Sequence, residues 1–173
     1  MTAGKSNQER IARASTKAGD YEEMSVNCAQ GTLAALQEEF GLEGGKELLK
    51  AATFFPGLMS RKETCGALLG GLMALGLAYG RDKLFDPAWA TEEANREMFR
   101  FRQKAWRYCE AFKEAFGSTQ CGVIRPLLMG RDYDTMKPED RTQFLADDGK
   151  RKCRVPCETA ARIAAGILLE VEA

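Results

Sequence analysis

Seventeen consecutive residues, Thr64 to Gly80 (TCGALLGGLMALGLAYG), carry no charge, although 29% of the chain is Asp, Glu, Lys or Arg. Such a run has no polar face to offer water, so it must be enclosed by the rest of the protein or by lipid. A bilayer span needs about 20 apolar residues. This run is shorter, holds five glycines and is flanked by Arg61, Lys62, Glu63, Arg81, Asp82 and Lys83. It therefore predicts a helix enclosed at the centre of a soluble bundle, with no membrane span.

The remaining sequence supplies the layer around it. β-branched residues are scarce and apolar residues recur at helical spacing, which predicts an all-α fold. Asn27 caps a predicted helix reaching Phe40, with Gly41 as its stop. A shorter helix covers 46–55 and ends at Pro56-Gly57. Ser60 and Glu63 fit a capping box, so the glycine-rich helix is expected to start near Arg61 and end at Gly80. Residues 81–90 form a turn. A long helix covers 91–116, Ser118 caps a short one ending before Gly130, and a final helix with Pro156 in its first turn reaches about Glu172. Residues 1–20 read as a frayed polar helix and 130–152 as a charged loop. The expectation is a single bundle of five to six helices around the Gly/Ala-rich one, spanning 1–173 as one domain.

Glycine inside a helix costs about 1 kcal/mol relative to alanine. Gly66 and Gly70 lie four apart, as do Ala67 and Gly71, making a smooth strip. Another helix, a second copy of the chain or a bulky inorganic group could approach it closely. A homodimer is one expectation from this strip.

The chemistry of the chain is bounded by an absence. It contains no histidine, which removes Ser-His-Asp and Cys-His catalysis, His-ligated zinc and covalent haem attachment. Lys plus Arg equal Asp plus Glu at 25 each, so no global field favours nucleic acid. The pairs Glu22-Glu23, Glu38-Glu39, Glu92-Glu93 and Asp147-Asp148 read as solvated faces or loops. Six cysteines remain: Cys28, Cys65, Cys109, Cys121, Cys153 and Cys157. The N-terminal stretch has basic residues but no apolar run of a secretory leader, which points to the cytoplasm. In that reducing setting thiols serve metal or redox chemistry more readily than structural disulfides.

Cys28, Cys65, Cys121 and Cys153 all fall near predicted helix N-termini, where free N–H groups and the helix dipole stabilise a thiolate or an anionic cluster. Cys109 shares a face with Ala105 and Phe112, and Cys157 with Ala160 and Ala164, so both read as small core residues. There is no C-x-x-C pair, and the spacing of the cysteines matches no strong metal rule.

Four segments together resemble the C_GCAxxG_C_C family of small helical redox-active proteins: NCAQGTLAAL at 27–36, ETCGALLGGLMALGLAYG at 63–80, FGSTQCGVI at 116–124 and CRVPCETAARIAAGILLE at 153–170. The Cys-Gly-Ala-x-x-Gly core at 65–70 is the most specific piece. The resemblance implies that Cys28, Cys65, Cys121 and Cys153 are the family cysteines. Cys153 is taken rather than Cys157 because it stands seven residues before Ala160, as the family's last cysteine does. Related domains occur in split-Soret-type cytochromes, where a similar cysteine set points to an iron–sulfur centre beside haem. With no histidine, haem is not carried over.

Three functions stay open at this point. One is an iron–sulfur or other thiolate–metal centre for electron transfer with a redox partner protein, its inorganic core accommodated beside Gly66 and Gly70. Another is a metal-free thiol–disulfide protein, with Cys65 attacking and Cys28 or Cys153 resolving. The last is a helical interaction domain, with or without structural zinc.

Overall fold

The computed structural model describes residues 6–83 and 91–170, and among these the regular elements are all helical. They are α1 (Asn7–Ser25), α2 (Cys28–Phe40), α3 (Gly45–Ala51), a 3-10 turn (Ala52–Phe54), the short turn α4 (Gly57–Ser60), α5 (Gly66–Tyr79), α6 (Glu92–Phe116), α7 (Cys121–Met129), α8 (Pro138–Ala146), α9 (Gly149–Lys152) and α10 (Arg154–Leu168). Most of the turn expected at 81–90 lies outside the described residues. The final helix ends at Leu168, short of the expected Glu172.

Four helices make the inner group. α1 packs on α2 and α10, and α5 packs on α2 and α10; α6 lies across α5 and α10. Their contacts are built from small residues: Ala14 and Ala18 on α1, Ala29 on α2, Ala67 and Ala74 on α5, and Ala160, Ala161, Ala164 and Ala165 on α10 are all fully buried. Small side chains let helix axes approach closely. Leu33, Leu36, Tyr108 and Phe112 fill what remains.

The glycines of α5 serve this packing. A Cβ on Gly70 would overlap the Ala29 carbonyl oxygen, and one on Gly71 would overlap the Tyr108 hydroxyl. The enclosure is not complete: from Gly76 to Ala78 the helix is exposed, and a Cβ on Gly76 would meet nothing within 4 Å. At 14 residues α5 is about 21 Å long. Among the described residues no helix is long and apolar enough to cross a membrane.

Three expectations need correction. Residues 1–20 are not frayed from residue 6 onward. Ser6 and Glu9 form a reciprocal capping box and α1 is docked along its length. Its polar appearance reflects ion pairs across the interface: Arg13 Nε donates to Glu39 at 3.0 Å, and Arg154 reaches Asp20 and Glu23, each at 2.7 Å.

The central helix begins at Gly66, with Cys65 as its N-cap, rather than near Arg61. The preceding backbone is committed elsewhere: Cys65 N–H donates to Thr119 O (2.8 Å), Cys121 N–H to Glu63 O (2.7 Å) and Gly122 N–H to Lys62 O (2.9 Å). These bonds lay 62–65 against 119–122, where a helix would need the same groups. Before them, Gly57, Leu58, Met59 and Ser60 all hold positive φ (50°, 40°, 50° and 67°), as does Lys62 (66°). Left-handed backbone costs roughly 1–2 kcal/mol per non-glycine residue. This strain borders the site described below.

Residues 130–152 are not a loop. They hold α8 and α9, and Tyr133 and Phe144 are buried against one another with ring centroids 5.6 Å apart. The Tyr133 hydroxyl donates to Asp147 (2.6 Å), and Thr135 donates to the Ser60 hydroxyl (3.1 Å). With these added elements the helices exceed the expected five to six.

Candidate functional site: a cavity walled by cysteines

Four of the cysteines sit where helices begin. Cys28 is the first residue of α2, Cys65 the N-cap of α5, Cys121 the first residue of α7 and Cys153 the N-cap of α10. The fold brings these ends together. Cys28, Cys121 and Cys153 line one cavity of about 280 Å³, along with Glu22 from α1 and Arg125 from α7. Cys65 is buried beside it, 5% exposed. The Cys28 thiol donates a hydrogen bond to Cys65 sulfur.

Cys65 is the acidic thiol of the group. The Cys28 hydrogen bond and the N–H groups of Ala67 and Leu68 at the start of α5 hold its pKa down against the opposing effect of burial. The same hydrogen bond, then burial, pushes Cys28 up. Burial raises Cys121 to about 11 and Cys153 well above its usual range; Arg125 works the other way at both.

Cys157 belongs to the same neighbourhood. It is fully buried, its thiol reaches the Cys28 carbonyl oxygen at 3.9 Å, and the charges of Glu22, Cys65 and Cys153 all bear on it. Cys109 stands apart on α6. It is half-buried, and its pKa is raised by burial and by Glu110, with no contribution from another cysteine.

Gly66 and Gly70 do not line the cavity. Gly66 faces Cys28 Sγ and Pro56, and Gly70 faces Ala29 and Thr32. They admit helix α2, so the room expected beside them for an inorganic core is already filled.

Glu22 contradicts the solvated reading of the Glu22-Glu23 pair. It is 3% exposed, and its Oε2 has no hydrogen-bond partner among the described residues. Burial, with the Cys65 charge second, raises its carboxyl to about 8. It contributes to the shifts of Cys28, Cys121, Cys153 and Cys157, so it stands at the centre of the sulfur group. The signal was present in sequence: Ala14, Ala18 and Glu22 recur every four residues on the buried face of α1. Arg125, also missed, follows Cys121 by four on α7.

Among the described residues, no three Cys, Asp or Glu side chains converge closely enough to hold a single metal ion. One-ion thiolate sites need sulfurs within roughly 4 Å of each other.

A family model described as "Putative redox-active protein (C_GCAxxG_C_C)" matches residues 26–169. No curated protein and no solved structure matches the chain.

Proposed function

The chain belongs to the C_GCAxxG_C_C family, whose members are described as redox-active, and from that premise we propose that it is an electron-transfer protein whose Cys28, Cys65, Cys121 and Cys153 hold an iron–sulfur cluster. The observation that carries this reading is the shared cavity. Cys28, Cys121 and Cys153 line it and Cys65 is buried, all four at helix starts, and among the described residues no three acidic or thiol side chains are grouped to hold one ion. A structural zinc is therefore the weaker metal reading.

When bound, such a cluster supplies one-electron chemistry. The protein supplies the rest. The N–H groups at the start of α5 favour Cys65 as thiolate, and Cys65 itself is buried away from water. An electron-transfer role calls for a redox partner protein, and a reducing cytoplasm would keep the six free thiols from pairing. A homodimer now lacks part of its motive, because Gly66, Gly70 and Gly71 pack inside the protomer. Light scattering at micromolar concentration decides it.

The Cys28–Cys65 hydrogen bond favours a second reading, a dithiol–disulfide couple. Oxidation would join the two sulfurs and pass two electrons to an acceptor, with release of both thiol protons. Anaerobic purification separates the readings. Iron and acid-labile sulfide bound in fixed proportion, and lost on Ser replacement of any of the four cysteines but kept in Cys109→Ser, supports the cluster. Absence of both, with two thiols disappearing reversibly on mild oxidation, supports the couple.

A further inference from the structure

The cavity has a second chemical character that the cysteines do not explain. Lys62, Arg125 and Arg141 also line it, and Glu22 is the one carboxylate in its wall among the described residues. The three cations are poorly matched by acids. Asp132 is shared: Lys62 pairs with it, and Arg125 Nη2 also reaches it, at 3.2 Å. Arg141, on the exposed side of α8, makes no ion pair or hydrogen bond through its side chain among the described residues.

Arg125 carries the argument. Its residue is 7% exposed, and a guanidinium taken that far out of water needs its N–H groups satisfied. Nη2 donates to Asp132 and to the Tyr133 carbonyl; Nε–H is sealed from solvent without an acceptor, and Nη1 makes no hydrogen bond but is not sealed. An unpartnered N–H on a buried, permanent cation, in the wall of a cavity with surplus positive charge, is a place for an anion. Hydroxyls stand nearby. Ser60, held at φ 67° in the strained turn, accepts from Thr135 and keeps its own O–H to donate, and both residues line the cavity.

We propose that this side of the cavity binds a small inorganic oxyanion, held by the unpartnered Arg125 Nη1 with Arg141, Lys62 and the Ser60 hydroxyl, next to the cysteine group. A tetrahedral or trigonal oxyanion presents several acceptor oxygens and suits a guanidinium better than a halide does. A cavity of about 280 Å³ accommodates one. The bound anion's role as substrate or effector of the redox centre rests on the function proposed above; the binding itself does not.

The test is calorimetric titration of the full, thiol-reduced chain, before and after iron and sulfide loading. Sulfate and phosphate are the probes, with chloride at matched ionic strength as control. Saturable oxyanion binding that chloride does not reproduce is expected. Arg141→Gln, exposed and not needed for folding, should weaken it about tenfold, the loss of one charged hydrogen bond. Arg125→Lys, which keeps the charge and loses the fork, should weaken it at least as much. Lys150→Gln, away from the cavity, should leave it unchanged. Binding no tighter than that of chloride, or equal binding in wild type and Arg141→Gln, overturns the proposal. Iron and sulfide content of the same preparations reports separately on the cluster, so either reading can fail while the other stands.

Discussion

Gly66 clears the space that the Cys28 sulfur occupies: a Cβ at position 66 would stand 2.5 Å from Cys28 Sγ. The smallest side chain on α5 thus fixes the position of a sulfur on α2. Gly66→Ala should fold with a displaced Cys28 and, on the cluster reading proposed above, bind less iron per chain than wild type, as read by colorimetric iron analysis.

The other glycines of α5 divide by what faces them. Gly70→Ala and Gly71→Ala force overlap with the Ala29 carbonyl and the Tyr108 hydroxyl, and each should cost about 1–3 kcal/mol of stability. Gly76→Ala meets open space in a helix interior and should stabilise by about 0.5–1 kcal/mol. Urea denaturation of the three variants checks both signs.

Glu22 makes stability depend on pH. Its carboxyl is raised from 4.5 to about 8 in the folded protein, so the folded state keeps a proton that the unfolded chain releases. Its contribution is complete below about pH 4.5 and falls by about 1.4 kcal/mol per pH unit as pH rises toward 8, then levels off. Glu22→Gln should lack this slope. The difference in unfolding free energy between wild type and variant, followed from pH 5 to 9, isolates the effect from other groups.

The N-terminal helix lies outside the family match, yet it seals α2 and α10 through Ala14 and Ala18 and supplies Glu22. Removing residues 1–25 should leave a chain with exposed apolar surface and a broadened thermal transition. Circular dichroism and dye binding distinguish this from a merely shortened native fold.

Cys28→Ala removes the hydrogen bond that does most to lower Cys65. The Cys65 thiolate should then appear at higher pH, followed by absorbance near 240 nm in a chain whose other cysteines are Ser.

The sequence discloses elements wherever local chemistry and tertiary packing agree. Asn27 caps α2, Gly41 ends it with φ 63°, and Thr91 opens the long α6 as the pattern predicts. The placement of Cys28, Cys65, Cys121 and Cys153 at helix starts was legible for the same reason, whereas their selection as a set came from the family resemblance. Legibility fails where distant groups decide. Ser60 and Glu63 form a valid local capping signal, but residues 62–65 give their backbone groups to 119–122. α1 reads as polar because its acids and bases meet partners on other helices. In 130–152 only Tyr133 and Phe144 are buried aromatics amid charge, too few to give a period. Glu22 was hidden by residue type: a carboxylate on an alanine stripe is read as solvent-facing unless the stripe itself is weighed.

The convergence of Cys28, Cys65, Cys121 and Cys153 from four separate helices also sets an order of events in the life of the chain. Translation exposes the first three sulfurs long before α10 exists, and none of these segments holds a complete site. The fourth wall arrives only when the C-terminal helix docks on α1, α2 and α5. On the function proposed above, loading of iron and sulfide, or oxidation of a thiol pair, would therefore act on a finished fold and not on a nascent peptide. That is the reverse of a zinc finger, where the metal drives the peptide to fold.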